Sequence, residues 1–224
     1  VVAKKVASSG TTIISTNPKS GPESIEGYYD EVFCIPGLLE EVLFNSEADA
    51  YIIACFDDTG LDAVRTITKK PVLGIGDSSF HIASCLAGTF SVITTLDVSV
   101  PILKNNILKR GFDRICVNVS SVNIPVLDLE NGESNTFLAI ENEIQRSITD
   151  DKAEAIVLGC AGMADFAEKL EKKFSIPVIE GVSSSIILAE GLVRMKKTTS
   201  KLGGYSYPRS KSYSGMFKPF EFKK

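Results

Sequence analysis

The sequence of 224 residues has few of the residues from which metal sites and disulfide frameworks are built. Histidine occurs once, at His81, and there is no Cys-x-x-Cys or His-x-x-x-His pair, so no protein-bound metal is expected. The five cysteines are odd in number and irregularly spaced, which is not the pattern of a disulfide framework. We therefore expect a reducing compartment and predict that the protein is cytoplasmic.

The sequence also lacks a charge bias and a long hydrophobic run. It has 24 basic and 28 acidic residues, a net charge of −4, so nothing in its composition indicates a nucleic-acid partner. No apolar run approaches the ~20 residues that span a bilayer, and no basic segment followed by an apolar one opens the chain. With 44% hydrophobic and 23% charged residues, the composition is that of a globular protein without a membrane partner.

Glycine-rich phosphate-binding motifs are missing as well. Gly74-x-Gly76 lacks the spacing of a dinucleotide fingerprint, and no acidic residue follows it at the required distance. The Gly-x-x-x-x-Gly-Lys-Ser/Thr motif is absent from the sequence. We therefore exclude NAD binding and P-loop chemistry, and expect no cofactor.

Short apolar segments alternate with longer segments of helical periodicity. This order predicts an α/β fold with parallel-sheet, doubly wound architecture, because uninterrupted apolar strands are typical of sheets covered on both faces. The predicted strands are Thr11–Ser15, Ala50–Cys55, Pro71–Ile75, Phe90–Thr94, Arg114–Val119, Ala155–Cys160 and Pro177–Glu180. The predicted helices are Gly37–Phe44, Gly60–Thr68, Ser79–Ala87, Val98–Arg110, Asn135–Thr149, Ala164–Phe174 and Ser183–Met195.

One pattern occurs twice along the chain. A strand ending in Cys55 or Cys160 is followed by a helix, a strand that begins with proline, and a serine-rich helix start. We predict two similar lobes related by a pseudo-twofold axis, with a cleft between them. Lobe 1 is expected at residues 1–88, with a helix over 183–196 packing back on it; lobe 2 is expected at 89–182. Residues 197–224 are predicted to form an extended tail that lies on the surface or is partly disordered.

The two predicted lobes differ at their beginnings. Lobe 2 begins with strand Phe90–Thr94, but lobe 1 has no counterpart before the helical segment Val1–Ala7. From the repeat we expect that the first strand of lobe 1 is missing from this sequence.

The repeat gives the two cysteines equivalent positions. In open α/β sheets ligands bind beyond the carboxyl ends of strands, and there a thiol faces the free N–H groups of the following helix. We expect such a position to lower the pKa of Cys55 and Cys160 from about 8.5 toward neutrality. Two thiols that face one carbon from opposite sides can invert its configuration, one removing a proton and the other supplying one. Core packing is the alternative for a strand-end cysteine. Cys34, Cys85 and Cys116 have no equivalently placed partner, and core packing is the prediction for Cys85 and Cys116.

Other polar segments also fall near the predicted cleft. Thr94-Thr95 ends the first strand of lobe 2, where hydroxyl and backbone N–H groups suit a carbonyl or enolate oxygen; a turn or helix cap is the alternative. The segment Gly21–Gly27 is long enough to reach the cleft, although an ordinary surface loop has the same composition. Asp77 could orient a ligand, and His81 is predicted to be structural.

Several segments at these positions match a known family. They are Gly21–Asp30, Ala54–Asp62, Gly74–Gly76, Ser91–Leu96, Leu158–Met163 and Gly181–Val182. In them the sequence resembles the hydantoin/allantoin racemases of the aspartate/glutamate racemase superfamily, over roughly residues 12–195. Members of that family normally begin with a strand and an Asn-Pro-Asn turn that helps to hold the substrate. This sequence has no such turn, in agreement with the missing strand.

The resemblance implies a cofactor-independent racemase. Cys55 and Cys160 would be the acid/base pair that acts on the C5 proton of a hydantoin ring. The partner would be a small-molecule substrate, with allantoin favoured, and the chain would form a homo-oligomer. Substrate contacts are expected from Ile25, Phe56, Asp57, Thr94, Thr95, Ala161 and Gly162.

Two other kinds of function are considered. An amino-acid racemase, decarboxylase or isomerase of the same superfamily would share the fold. However, the two cysteines are not followed by the Asn-Thr and Thr-His pairs expected in amino-acid racemases, and a decarboxylase would be expected to use one cysteine. The alternative from another class is a non-catalytic ligand-binding or thiol redox-sensing protein, because two strand-end thiols can bind or be oxidised without turnover.

Overall fold

The apolar segments of the chain pair into two parallel sheets, as an α/β fold requires. The structure is a computed structural model that describes residues 2–129 and 133–222. The smaller sheet consists of two short strands, β1 (Tyr51–Ile53) and β2 (Val72–Gly74), with Ile53 opposite Gly74. Each strand ends where the chain turns toward a helix, so both present their carboxyl ends at one edge.

The larger sheet has four strands. These are β3 (Phe90–Thr94), β4 (Cys116–Ser121), β5 (Ala155–Gly159) and β6 (Val178–Glu180), in the spatial order β4–β3–β5–β6. Every residue of β3 and β5 is buried, as their mostly apolar sequences predict, and the burial extends to the polar residues Ser91 and Thr94. Phe90 pairs with Ala155 and Thr94 with Gly159, so β3 and β5 end side by side.

Eight α-helices lie among the described residues, and they cover the sheets. They are α1 (Val2–Val6), α2 (Tyr28–Phe44), α3 (Leu61–Ile67), α4 (Ile75–Leu86), α5 (Val100–Arg110), α6 (Glu133–Thr149), α7 (Ala167–Phe174) and α8 (Gly181–Arg194). Helix α5 ends at Gly111, which has a φ of 79° and so adopts the left-handed conformation that glycine tolerates. Over residues 2–129 and 133–222, none of these helices has the length and apolar character needed to cross a membrane.

An aromatic cluster joins the two sheets. Phe80 of α4 is fully buried, and its ring centroid lies 5.9 Å from that of Phe56, after β1, and 5.9 Å from that of Phe90, in β3. Phe112 packs against the same ring at 6.1 Å. Because these rings belong to one hydrophobic core, the chain that follows β1 is held at a fixed position beside β3.

The C-terminal part of the chain returns to the smaller sheet. Helix α8 packs against α1 and α4 and also contacts β1 and β2. The division into lobes at 1–88 and 89–182, with 183–196 on the first, stays a prediction, as does their pseudo-twofold relation. Residue 1, residues 130–132 and residues 223–224 lie outside the described part of the chain.

The structure corrects three predictions about local structure. Thr11–Ser15 forms no strand, because no strand among the described residues lies beside it to complete a hydrogen-bonded ladder. Cys85 was expected to be packed in the core, but it lies on the exposed face of α4. Strand β1 is shorter than predicted and ends at Ile53, so Cys55 follows the strand instead of closing it.

The tail lies on the surface of the smaller sheet's helices. Thr199 Oγ1 donates a hydrogen bond of 2.7 Å to the carbonyl of Lys70. Tyr205 donates from its hydroxyl to Asp62 Oδ1 at 2.9 Å, and the Arg65 guanidinium lies 5.7 Å from the centroid of its ring. These contacts hold residues 199 and 205 against the rest of the chain. The extended tail over residues 197–224 stays a prediction.

Candidate active site

A cavity of about 570 Å³ lies at the carboxyl ends of β1, β3 and β5. Three short segments that follow these strands line it, together with the segment 17–25. All nine residues predicted from the sequence as catalytic or substrate-binding line this cavity: Ile25, Cys55, Phe56, Asp57, Thr94, Thr95, Cys160, Ala161 and Gly162.

Cys55 lies in a tight turn between β1 and α3. The turn contains Asp58 and Gly60, both in the left-handed conformation, with φ angles of 54° and 76°. It places the Cys55 sulfur 3.5 Å from Thr59 Oγ1, and the backbone N–H groups of Asp57 and Thr59 donate to this sulfur. Burial, together with the nearby Asp57 carboxylate, nevertheless raises the pKa of the Cys55 thiol to about 12.

Cys160 directly follows β5 and precedes a 3-10 helical segment, Ala161–Phe166. The backbone N–H of Gly162 donates to its sulfur. Burial raises the pKa of the Cys160 thiol to about 11, and the carboxylates of Asp57 and Glu26 act in the same direction. Both cysteines are partly exposed as residues, and both line the cavity.

The direction of the two pKa shifts overturns one expectation. The sequence predicted that helix-start N–H groups would lower the pKa of both thiols toward neutrality. The N–H groups are present, but removing the sulfur atoms from water disfavours the thiolate more strongly than the donors stabilise it. Asp57 adds to this effect at both sulfurs.

Asp57 is a buried carboxylate at the cavity wall. Its Oδ2 accepts a hydrogen bond of 3.1 Å from Ser99 Oγ, and Asn106 Nδ2 donates to its carbonyl oxygen at 2.8 Å. Burial raises the pKa of Asp57 to about 7, Ser99 partly offsets this effect, and the negative charge of Glu31 adds to it. Near neutral pH this group therefore exists in both protonation states.

The predicted contact residues differ in which atoms they offer to a ligand. Phe56 turns its ring into the aromatic core, so its side chain is not available to a substrate. Thr94 donates its hydroxyl proton to the carbonyl of Gly159 at 3.0 Å and so ties β3 to β5. Among the described residues the hydroxyl of Thr95 has no hydrogen-bond partner, although the residue is largely buried. Of the two threonines that line the cavity, Thr95 is therefore the one whose hydroxyl has no partner among the described residues.

Comparison with known proteins places this geometry in a family. The family model described as Asp/Glu/Hydantoin racemase matches residues 1–189. The chain belongs to this family. It is 44% identical over 220 residues to the hydantoin racemase of Pseudomonas sp. (strain NS671), covering 97% of this chain and 88% of that one. It is 42% identical over 208 residues to the hydantoin racemase of Rhizobium meliloti, with coverages of 92% and 86%.

A solved structure of high similarity supports the same assignment. The structure of allantoin racemase from Klebsiella pneumoniae matches with a TM-score of 0.94 and 36% identity, covering 98% of this chain and 90% of that one. The fold of the chain is therefore that of the racemase family over nearly its whole length.

In this member of the racemase family, the Gly74-x-Gly76 pair has a structural explanation. Asp58 directs its carboxylate toward the start of α4, where Oδ1 accepts from the Gly76 N–H at 3.0 Å and Oδ2 from the Asp77 N–H at 2.7 Å. A Cβ atom at position 74 would overlap this carboxylate. Gly74 therefore makes room for the group that anchors the Cys55 turn, and Gly76 makes room for the backbone carbonyl of Phe56.

Sequence reasoning missed several residues of the site. Thr59 and Glu31 connect to Cys55 through hydrogen bonds, and Ser99 binds Asp57. Cys34, to which the sequence assigned no role, is buried and lines the cavity. Thr59 was within the matched segment Ala54–Asp62, whereas no sequence signal connects Glu31 to it.

Two further observations concern residues considered from the sequence. His81 does not line the cavity, and its ring packs edge-on against Phe112 at 4.9 Å, with Nδ1 2.8 Å from the Asp77 carbonyl. Within residues 2–129 and 133–222, no group of three or more histidine, cysteine, aspartate and glutamate side chains is arranged to hold a metal ion.

Proposed function

We propose that this protein is a cofactor-independent racemase of 5-substituted hydantoins, with allantoin the favoured substrate. Cys55 and Cys160 transfer protons at C5 of the ring. The observation that carries the proposal is that both thiols, which follow strands of two different sheets, line one cavity. Its volume of about 570 Å³ is within the range of small-molecule sites.

The hydantoin ring suits this arrangement of thiols. Removal of the C5 proton gives an enolate whose charge is spread onto the C4 carbonyl. One cysteine, as thiolate, takes the proton, while the other, as thiol, supplies a proton to the opposite face. Atoms balance because C5 loses one proton and gains another, and the two cysteines exchange protonation states.

The cavity offers donors for the developing charge. Beside Cys160 the chain begins a 3-10 helical segment, whose first N–H groups have no partner within the helix. The Thr95 hydroxyl is also available. Loss of one donor of this kind typically reduces the rate by about 10²–10³.

The preference for allantoin rests on relatives and on the polarity of one cavity wall. Two relatives of this chain are named hydantoin racemase, and the solved structure described above is named allantoin racemase. The ureido group of allantoin needs hydrogen-bond donors and acceptors. The segment 17–25 supplies such groups from Asn17, Lys19, Ser20, Glu23 and Ser24.

The test combines optical rotation with isotope exchange. Each enantiomer of allantoin is incubated with the protein in deuterated water, against a protein-free control. The proposal predicts loss of optical rotation together with deuterium at C5. Cys55→Ser and Cys160→Ser should each abolish racemisation, whereas Cys116→Ser, in β4 and away from the cavity lining, should leave it intact.

The same experiment separates the other functions. Substantial racemisation by either serine variant would refute the two-base mechanism. Racemisation of 5-benzylhydantoin or 5-methylhydantoin in preference to allantoin would retain the reaction and reject the substrate. Protection of both thiols from alkylation by allantoin, without exchange at C5, would instead support a non-catalytic binding protein.

A further inference from the structure

A chain of hydrogen bonds leads from Cys55 away from the cavity that holds both thiols. The Cys55 sulfur lies 3.5 Å from Thr59 Oγ1, and Thr59 Oγ1 donates to Glu31 Oε1 at 3.2 Å. Thr59 is buried between them, with 5% of its surface exposed. Thr59 and Glu31 line a second cavity, of about 350 Å³, on the other side of the Cys55 turn. The side chains of Cys55, Thr59 and Glu31 thus form a hydrogen-bonded path from the candidate active site to the second cavity, from which Glu31 can take up a proton.

The direction of these hydrogen bonds influences the protonation state of the Cys55 thiol. A hydroxyl has one proton, and Thr59 gives it to the Glu31 carboxylate. The hydroxyl therefore faces Cys55 with an oxygen lone pair only. This lone pair can accept a hydrogen bond from the S–H group of a thiol, but it repels the negative charge of a thiolate. An ionised Glu31 consequently favours the protonated form of Cys55.

Cys160 has a different environment. Its sulfur receives the N–H of Gly162, a donor that favours the thiolate. Among the described residues no hydroxyl that is bound to a carboxylate lies against it. Both sulfurs thus receive backbone N–H groups, and only Cys55 also has beside it a hydroxyl oxygen whose proton is donated to a carboxylate.

We propose that Glu31, acting through Thr59, holds Cys55 in the thiol form, so that in the resting protein Cys160 is the base and Cys55 the proton donor. Glu31 and Thr59 are positioning residues. The inference rests on the proposed function and adds to it an order of proton transfer. After one turnover Cys55 is a thiolate and Cys160 a thiol. The resting state returns when Glu31, protonated from the second cavity, gives its proton to Thr59 as Thr59 gives its own to Cys55, and Cys160 releases the proton taken from C5 to water in the first cavity.

Other charged groups surround the hydrogen bonds from Cys55 to Glu31. Asp57, unlike Glu31, acts on both thiols in the same direction. Asp57 raises the pKa of both Cys55 and Cys160. Burial raises the pKa of Glu31, and the hydrogen bond from Thr59 opposes this. The titratable and charged groups nearest to Glu31, on its own helix or on the elements packed against it, are Tyr28, Asp30, Cys34, Asp57, Asp58, Asp62, Lys109 and Arg110.

The test measures the protonation of each cysteine separately. The wild-type protein is treated with iodoacetamide at a series of pH values, and the alkylated fraction of each cysteine is measured by peptide mass spectrometry. Cys160 should reach half-maximal alkylation rate at a lower pH than Cys55. In Glu31→Gln the amide can donate to Thr59 Oγ1, which frees the Thr59 proton for the sulfur. The midpoint of Cys55 should fall by about one pH unit, a tenfold gain in thiolate below the midpoint, with Cys160 unchanged.

Matched variants separate this effect from a change in structure. Glu40→Gln makes the same charge change on the same helix, outside both cavities, and should move neither midpoint. Thr59→Ser retains the hydroxyl and should behave as wild type. Thr59→Val removes the hydroxyl that connects Cys55 with Glu31. Adding Glu31→Gln to this variant should then leave the alkylation midpoint of Cys55 unchanged.

Several results would overturn the inference. These are a Cys55 midpoint below that of Cys160 in the wild type, an unchanged Cys55 midpoint in Glu31→Gln, or equal shifts at both cysteines. If Glu31→Gln does not fold, the comparison of Thr59→Ser with Thr59→Val decides the matter, since only valine should alter the Cys55 midpoint. Alkylation requires no turnover, so absence of racemisation with the predicted alkylation pattern would reject the proposed function and retain the hydrogen-bonded chain.

Discussion

Gly74→Ala tests whether the Asp58 carboxylate, which anchors the Cys55 turn, needs the space left by the absence of a Cβ atom at Gly74. Gly74 has a φ of −97° and a ψ of 148°, which alanine adopts without strain, so the substitution acts only through the added methyl group. That group would occupy the position of the Asp58 carboxylate. The carboxylate must move, and it then loses its hydrogen bonds of 3.0 Å to the Gly76 N–H and 2.7 Å to the Asp77 N–H.

The size of the effect follows from those two bonds. A hydrogen bond to a charged group contributes about 1.5–3 kcal/mol, so their loss should lower the free energy of unfolding by about 3–6 kcal/mol. This is a large part of the roughly 5–15 kcal/mol that stabilises a typical domain. Urea denaturation at pH 8 measures it, because burial raises the pKa of Asp58 to about 7 and the carboxylate is mostly ionised there.

Two further variants make the experiment decisive. A Cβ at Gly191, in α8, would meet no atom within 4 Å, so Gly191→Ala should stabilise the protein by up to about 1 kcal/mol through helix propensity. In an Asp58→Ala background the space is free, and Gly74→Ala should then cost less than about 1 kcal/mol. A cost below 1 kcal/mol in the wild-type background, or an equal cost in both backgrounds, would refute the steric argument.

Three other predictions concern the site and the tail. Asp57 has a pKa raised from 3.8 to about 7, so the folded state holds its proton more tightly than the unfolded state, and stability should fall as pH rises from about 4 to 7. Asp57→Asn should reduce that slope by up to about 1.4 kcal/mol per pH unit in denaturation experiments, and an unchanged slope would contradict the assignment. Thr95→Val should raise KM for allantoin by about 3- to 10-fold through loss of one hydrogen bond, whereas Thr94→Val should mainly lower stability; the reverse pattern would show that the ligand reaches Thr94 instead. Tyr205→Phe removes the hydroxyl that binds Asp62 and should lower the free energy of unfolding by about 1 kcal/mol, and no change would mean that the tail is held by other contacts.

The position of the site was predictable because it follows from the order of the chain. Cys55 and Cys160 each come at the end of an apolar segment in a repeated pattern, and parallel strands bring such ends to one edge. The same reasoning located Thr94 and Thr95 at the end of β3. One sequence rule therefore gave all three strand ends that line the cavity.

The contacts that hold the Cys55 turn in place and connect it to Glu31 were not predictable from the order of the chain. Glu31 and Thr59 are 28 residues apart and meet only because α2 packs beside α3. The Gly74-x-Gly76 pair does not have the spacing of a dinucleotide motif, but the use of Gly74 as space for Asp58 depends on a side chain from a different turn. The strand predicted at Thr11–Ser15 failed for a related reason, since its apolar pattern does not provide the neighbouring strand that pairing requires.

The pKa of the two thiols shows why a local rule gave the wrong direction. The sequence indicated the N–H donors around Cys55 and Cys160, and these donors do favour a thiolate. It could not indicate how much water the folded chain removes from the sulfurs, or that Asp57 would place a negative charge near both. Within that shared environment a first thiolate makes a second one still less favourable, because like charges repel in a medium from which water is largely excluded. A pair with one thiolate and one thiol is the state that two-base racemisation requires, so the burial that opposes ionisation also prevents both thiols from ionising together.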